Sequence, residues 1–212
     1  MLSSVDPNKF KGCRIYIVAG GASLRGIDLE NDLSERYVVG CNDAYKLSCT
    51  EICVFGDKPW YEKNKNELEV WEGELWTNHS SFDHDPRVNY LRKSPILSNS
   101  SNAAAWYGNT GFLALNFVLL GYPDEIVLLG YDMCVVDGRA NWHDENRVEP
   151  DDETYKTMLL NTHDMARMID ALFPGVRIVN ADPLSRLDIF EKVDPRLWGI
   201  KIPSGHKYED EK

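Results

Sequence analysis

His143 lies in a long polar stretch, and imidazole is the side chain best suited to take or give a proton near neutral pH. Trp142 precedes it, and Tyr155 follows within reach, so the ring is expected between two aromatics. Asp132 stands just past the apolar run 125–130. It could hold a hydroxyl or act as a base, or it could simply cap a loop. A second chemistry is phosphate recognition. Gly20-Gly21-Ala22-Ser23 closes an apolar, β-branched run, and glycines let backbone N–H groups come close to a phosphate. No Gly-Lys-Ser/Thr follows, and the spacing is not GxGxxG, so a plain tight turn is the competing reading. Asn42-Asp43 could read a ribose or a base edge, or close an Asx turn.

The metal signals are sparse. Asp83-His84-Asp85 has the DxD pattern that can hold a metal-bound nucleotide, but it sits in an unpatterned polar stretch. His79 with His84, and His143 with His163, lack compact zinc-ligand spacing. No resident metal is expected.

These residues share one property: nearly all stand where an apolar run ends. Short apolar runs at 14–19, 36–41, 51–56, 125–130 and 176–179 read as strands buried on both faces, and 74–78 as a further strand. Helices are expected at 63–71 and at 112–120, the latter closed by Gly121. One long helix should run from an Asp151 or Asp152 cap to about Phe173. Its Met158, Leu159, Met165, Met168, Ile169 and Leu172 fall at core-facing spacing. The pattern predicts an α/β fold: a single Rossmann-like domain over residues 1–212, with a mainly parallel sheet and helices on both faces. Irregular excursions fall at about 60–108 and 134–150. After Pro183 the chain has a few anchors (Leu187, Phe190, Trp198) and an end expected to fray. Ligands of open parallel sheets bind outside the carboxyl ends of the strands. The ends here carry Gly20 to Ser23, Asn42-Asp43, Asp57-Lys58, Tyr131-Asp132 and Asn180, a convergent polar rim.

Bulk properties narrow the partners. With 43% hydrophobic and 27% charged residues, the chain can bury a proper core. No apolar run approaches the roughly 18 residues of a membrane span. Residues 1–11 are polar without an apolar core, so no signal peptide is expected, and a cytoplasmic location follows. The five cysteines form no CxxC pair and read as reduced, buried small hydrophobes. A net charge of −11 disfavours nucleic acid and anionic membrane as partners. Arg14, Arg25, Lys46, Lys58 and Arg92-Lys93 are the cations nearest the loops, and Arg25 or Lys58 could steady a leaving phosphate.

Several segments together resemble a known family. Val18-Ala19-Gly20-Gly21-Ala22-Ser23-Leu24 with Ile27-Asp28 resembles the nucleotide loop VAGNGPSL…ID of the bacterial sialyltransferase family of the Campylobacter lipooligosaccharide enzymes. Cys41-Asn42-Asp43-Ala44-Tyr45 is similar to that family's CNxxY strand end. Thr110-Gly111, Leu120-Gly121-Tyr122 and the run from Ile126 to Asp132 are similar to its TSG…LGYKEIYLxGxDF block. The last block, with Gly138 and Trp142-His143 after it, also resembles DUF115-like phage and bacterial proteins, a group that includes a hydroxymethylpterin pyrophosphokinase. The likeness covers about residues 14–60 and 108–145. The chain departs where the family's loop Asn is absent, its Pro is Ala22, its third-strand Asn is Asp57, and Met133 replaces an aromatic.

The resemblance implies a Rossmann-like fold and a metal-independent, inverting glycosyltransferase. Its donor would be a cytidine-nucleotide sugar, its acceptor a small molecule or glycan, and its base the loop histidine His143. Gly20, Gly21, Ala22, Ser23, Asn42, Asp43, Asp57, Thr110, Gly111 and Tyr131 are the expected nucleotide-binding residues. The alternatives are a pterin-type diphosphokinase, with Asp57 and Asp132 holding ATP-bound magnesium, and a non-catalytic nucleotide-binding protein. A homo-oligomer is compatible with each.

Overall fold

The computed structural model describes residues 2–143 and 152–209. Chain order runs β1 (Arg14–Val18), α1 (Leu29–Asp32), β2 (Tyr37–Cys41), β3 (Thr50–Val54), α2 (Lys58–Val70), β4 (Glu74–Thr77), β5 (Val88–Tyr90), β6 (Arg92–Ser94), β7 (Ala103–Ala105), α3 (Thr110–Leu120) and β8 (Glu125–Leu129). After the undescribed 144–151 come α4 (Asp152–Asn161), α5 (Met165–Leu172), β9 (Arg177–Asn180) and β10 (Glu191–Lys192). Eight strands form one sheet in the order β10-β9-β8-β1-β2-β3-β4-β5, with every neighbour parallel. The fold is the expected Rossmann-like α/β type.

Alternation along the central strands explains the layers. Ile15 and Ile17 of β1, with Ile126 and Leu128 of β8, join the apolar cluster containing α3 and α5. Tyr16, Val18, Val127 and Leu129 point the other way, onto Leu29, Leu33 and Trp198. Successive strand side chains face opposite sides, so a strand covered on both faces must be apolar throughout. Helix α3 is buried from Gly111 to Leu120 and is therefore apolar on all sides.

The order of connections places the site. From β1 the chain builds outward through β2, β3, β4 and β5, then returns to add β8 on the other flank of β1 and continues through β9 to β10. Strand order thus reverses between β1 and β8, and a crevice opens at such a switch point beyond the strand ends.

The structure corrects four local expectations. The helix expected at 63–71 begins at Lys58, because Asp57 accepts the Trp60 N–H and caps it. The excursion at 60–108 is not wholly irregular. It supplies edge strand β5 and the parallel pair β6–β7, whose Ala103, Ala104 and Ala105 are buried. The long helix is two helices. At the break the Thr162 hydroxyl donates to the Leu159 carbonyl at 2.8 Å, and the backbone tightens into three-residue turns, a local alternative that competes with helix continuation. Its Asp151 cap lies outside the described residues, as does the 144–150 part of the second excursion. The end of the chain does not fray through the described part, since Tyr208 is buried.

Candidate functional site

The glycine loop after β1 is stapled to the end of β8. Gly21 N–H donates to the Gly130 carbonyl at 2.9 Å. Asp132 then accepts twice from Ser23: backbone N–H to Oδ2 at 2.8 Å and Oγ–H to Oδ1 at 2.6 Å. Behind it lies Asp182, fully buried, whose Oδ1 accepts the Tyr208 hydroxyl and the Leu184 N–H, each at 3.0 Å. Among the described residues no donor other than a protonated Asp132 is available to the buried Asp182 Oδ2, and the two carboxyls lie within hydrogen-bonding reach.

Burial, then the neighbouring Asp182, pushes the Asp132 carboxyl up to about 8, while the Ser23 hydrogen bonds pull the other way. The folded protein therefore holds a proton that the unfolded chain, titrating near 3.8, has released. A raised carboxyl makes its full stability contribution at low pH and loses it as pH rises from about 4 to about 8. The expected slope is roughly 1 kcal/mol per pH unit across that window. Asp182→Asn, which removes the neighbouring carboxyl charge but leaves the burial, should make it shallower. Chemical denaturation of both proteins between pH 5 and 8 checks this, and equal slopes would show that Asp182 contributes nothing to the shift.

Above the loop opens a cleft of about 330 Å³. Gly20 and Gly21 form one wall, Asn42 and Asp57 another, and Asn109, Thr110 and Gly111 at the start of α3 a third. No lysine or arginine lines it among the described residues. An anion would instead meet the N-terminus of an eleven-residue helix, whose dipole favours negative charge. Buried polar atoms in these walls with no hydrogen-bond partner among the described residues include the acceptor Asn42 Oδ1 and the donor Trp106 Nε1. Buried polar groups are rarely left so, and a polar ligand satisfies them. Asn42 sits at φ 51°, a left-handed conformation that asparagine tolerates better than most residues.

His143 closes the cleft. The segment leading to it is bonded onto the glycine loop. Asn141 bridges Gly21, Trp142 N–H donates to the Gly20 carbonyl, and Trp142 Nε1–H donates to the Ala19 carbonyl, the last two at 3.0 Å. His143 Nε2 lies 3.5 Å from Asp43 Oδ2. Asp43 is itself 3% exposed, and its Oδ1 accepts Trp60 Nε1–H at 3.2 Å. The carboxylate therefore faces Nε2, which selects the tautomer protonated there and leaves Nδ1 as the basic nitrogen.

Eight of the expected site residues meet around this cleft: Gly20, Gly21, Asn42, Asp57, Thr110, Gly111, Asp132 and His143. The others are elsewhere. Ala22 and Ser23 turn into a separate hollow, and Asp43 stands in the wall behind His143. Tyr131 is fully buried and donates its hydroxyl to the Gly111 carbonyl at 2.8 Å, so it fixes the start of α3 from below. Neither Arg25 nor Lys58 reaches the cleft. Trp106, Asn109 and Asn141 were missed; a tryptophan in an otherwise polar stretch was the available sign of the first. Asp85 accepts the Tyr61 hydroxyl, which gives that DxD residue a packing role. Among the described residues no three His, Cys, Asp or Glu side chains gather as a metal site. All five cysteines are free, and burial raises the Cys41 thiol to about 12.

Fold and crevice together define a parallel α/β protein with a polar ligand cleft at its topological switch point. No protein-family model matches the chain, so the DUF115-like resemblance rests on motifs alone, and no curated protein matches it either. Among solved structures it is similar to the sialyltransferase CstII from Campylobacter jejuni in complex with the substrate analogue CMP-3FNeuAc. The TM-score is 0.53 at 14% identity, over 93% of this chain and 98% of that one. CstII with cytidine-5'-monophosphate gives 0.49 at 13% over the same shares, and a mammalian sialyltransferase 0.35 at 11%, over 79% of this chain and 68% of that one. The first of these shows a sialyltransferase-like fold. No described helix is long and apolar enough to cross a membrane.

Proposed function

We propose that this chain is an inverting, metal-independent glycosyltransferase that uses a cytidine-nucleotide sugar. The observation that carries the reading is His143, backed by the buried Asp43 carboxylate and set over a cleft floored by the glycine loop. The nucleotide phosphate lies against Gly20, Gly21 and the start of α3, with Thr110 beside it. Asn42 and Trp106 offer one acceptor and one donor to the nucleoside. An acceptor hydroxyl attacks the anomeric carbon, its proton passes to His143 Nδ1, and the nucleoside monophosphate leaves toward the amides that hold it. Asp132 takes no part in that transfer. It holds the loop through Ser23. The likeness to CstII supports the reading, since that structure holds a CMP-sugar analogue.

A thermal-shift panel tests the donor. CMP should raise the melting temperature with or without Mg²⁺, because a ligand bound only by the native state stabilises it by mass action. A shift with ATP that requires Mg²⁺, and none with CMP, would replace this reading with the diphosphokinase.

A further inference from the structure

The Asn42 Oδ1 acceptor and the Trp106 Nε1 donor are both buried, both without a hydrogen-bond partner among the described residues, and both in the walls of the cleft. Cys41 of β2 pairs with Val54 of β3, so Asn42 and Gly56 emerge at the same end of neighbouring strands. Trp106 reaches over Gly56. A Cβ on Gly56 would lie 2.9 Å from Trp106 Nε1 and 2.6 Å from Thr110 Oγ1. Gly56 is not among the residues at positive φ, so the backbone does not call for glycine there. What calls for it is the close approach of the indole N–H and the Thr110 hydroxyl over the strand end.

The indole is anchored before any ligand arrives. The Trp106 carbonyl accepts the Asn109 N–H at 2.9 Å across Tyr107 and Gly108, whose φ of 52° and 78° are the paired positive values of a type I′ turn. The Tyr107 hydroxyl accepts the Leu97 N–H at 2.6 Å. The Lys93 ammonium stands 4.9 Å from the indole centroid, within cation–π range. This donor is therefore pre-organised beside the start of α3.

One acceptor and one donor together ask for a ligand that donates and accepts. Hydroxyls do both, whereas a carboxylate only accepts and an ammonium only donates. Trp106 Nε1 and Thr110 Oγ1 converge on one spot, and Thr110 opens the helix against which the proposed function sets the phosphate. The group on Trp106 therefore lies next to the phosphate, and in a nucleotide that neighbour is the ribose, with the base beyond it.

We propose that Asn42 and Trp106 read the vicinal diol of the ribose: Nε1–H donates to one hydroxyl, and Oδ1 accepts from the other. The pair thereby selects ribonucleotides against deoxynucleotides. The assignment rests on the proposed placement of the phosphate and makes Trp106 a specificity-determining residue.

Calorimetric titration with CMP, 2′-deoxy-CMP and 3′-deoxy-CMP, and with the same three forms of AMP, tests it. The protein should bind CMP about tenfold or more tighter than either deoxy form, because each analogue leaves a buried polar group unpaired. Trp106→Phe keeps a ring and removes the N–H. It should weaken CMP by about that factor and close the gap to one deoxy form, while the gap to the other remains. Melting curves show whether the variant is folded, and if it is not, the unaltered protein's preference decides. CMP binding with no deoxy gap overturns the diol assignment and leaves the proposed function standing, as does a folded Trp106→Phe that keeps both gaps. A deoxy gap with AMP in a protein that ignores CMP supports the diol site and counts against the cytidine donor. Binding of none of these nucleotides overturns both.

Discussion

His143→Ala lowers kcat with a CMP-sugar donor by about 10²- to 10⁴-fold, the range that a positioned acid–base group contributes, while CMP binding is retained. The split follows from position. His143 sits at the rim, and the glycine loop and the helix start proposed to hold the nucleotide are separate groups in the other walls. Asp43→Asn should lose a large part of the same factor. An amide in that place can present N–H to Nε2, which favours the wrong tautomer and moves the basic nitrogen away from Nδ1. The Asp43→Asn pH–rate profile should therefore change shape, which a purely structural defect would not produce. Turnover unchanged in His143→Ala would end the assignment of the base.

Gly21→Ala should be the most damaging small substitution in the molecule. A methyl there would collide with Asp132 Oδ1 and would lie 2.5 Å from the Gly130 carbonyl oxygen. Neither can yield cheaply. Asp132 is buried and bonded twice to Ser23, and Gly130 is backbone at the end of β8. Overpacking of this kind costs about 3 kcal/mol, which for a chain of this length lowers Tm by about 6–12 °C. It should also abolish CMP binding, because the loop that forms the cleft wall must move. Ala22→Gly, one residue on and outside the cleft, is the control, and it should leave CMP affinity intact. Equal CMP affinity in Gly21→Ala would show that the loop does not hold the nucleotide.

The central strands were legible because strands buried on both faces leave a continuous apolar signature. Ile15 to Val18 and Ile126 to Leu129 have one. With their order came the rim, and most of the cleft residues with it. What could not be read was anything made by a few residues or by pairing across the chain. Strand β5 is Val88-Asn89-Tyr90, too short to show a period. Tyr131 sits among polar rim residues in sequence, yet the structure turns its ring inward, under α3. The partner of His143 is Asp43, one hundred positions earlier, and no local pattern joins them. The same holds for Asp182 and Tyr208, which were absent from the expected site although they stand directly behind the loop.

The contact between Ser23 and His206 spans 183 residues. At roughly 5–20 residues per second of synthesis, about 10 to 40 seconds separate the making of the glycine loop from the making of the segment that braces it. Asp132 follows Ser23 by only 109 residues, so β1 and the loop lack it for part of that interval and lack Tyr208 for all of it. The brace on the glycine loop is therefore completed last, after every residue that lines the cleft has been made, and any fusion that delays release of residues 205–209 postpones the brace without hindering the central sheet.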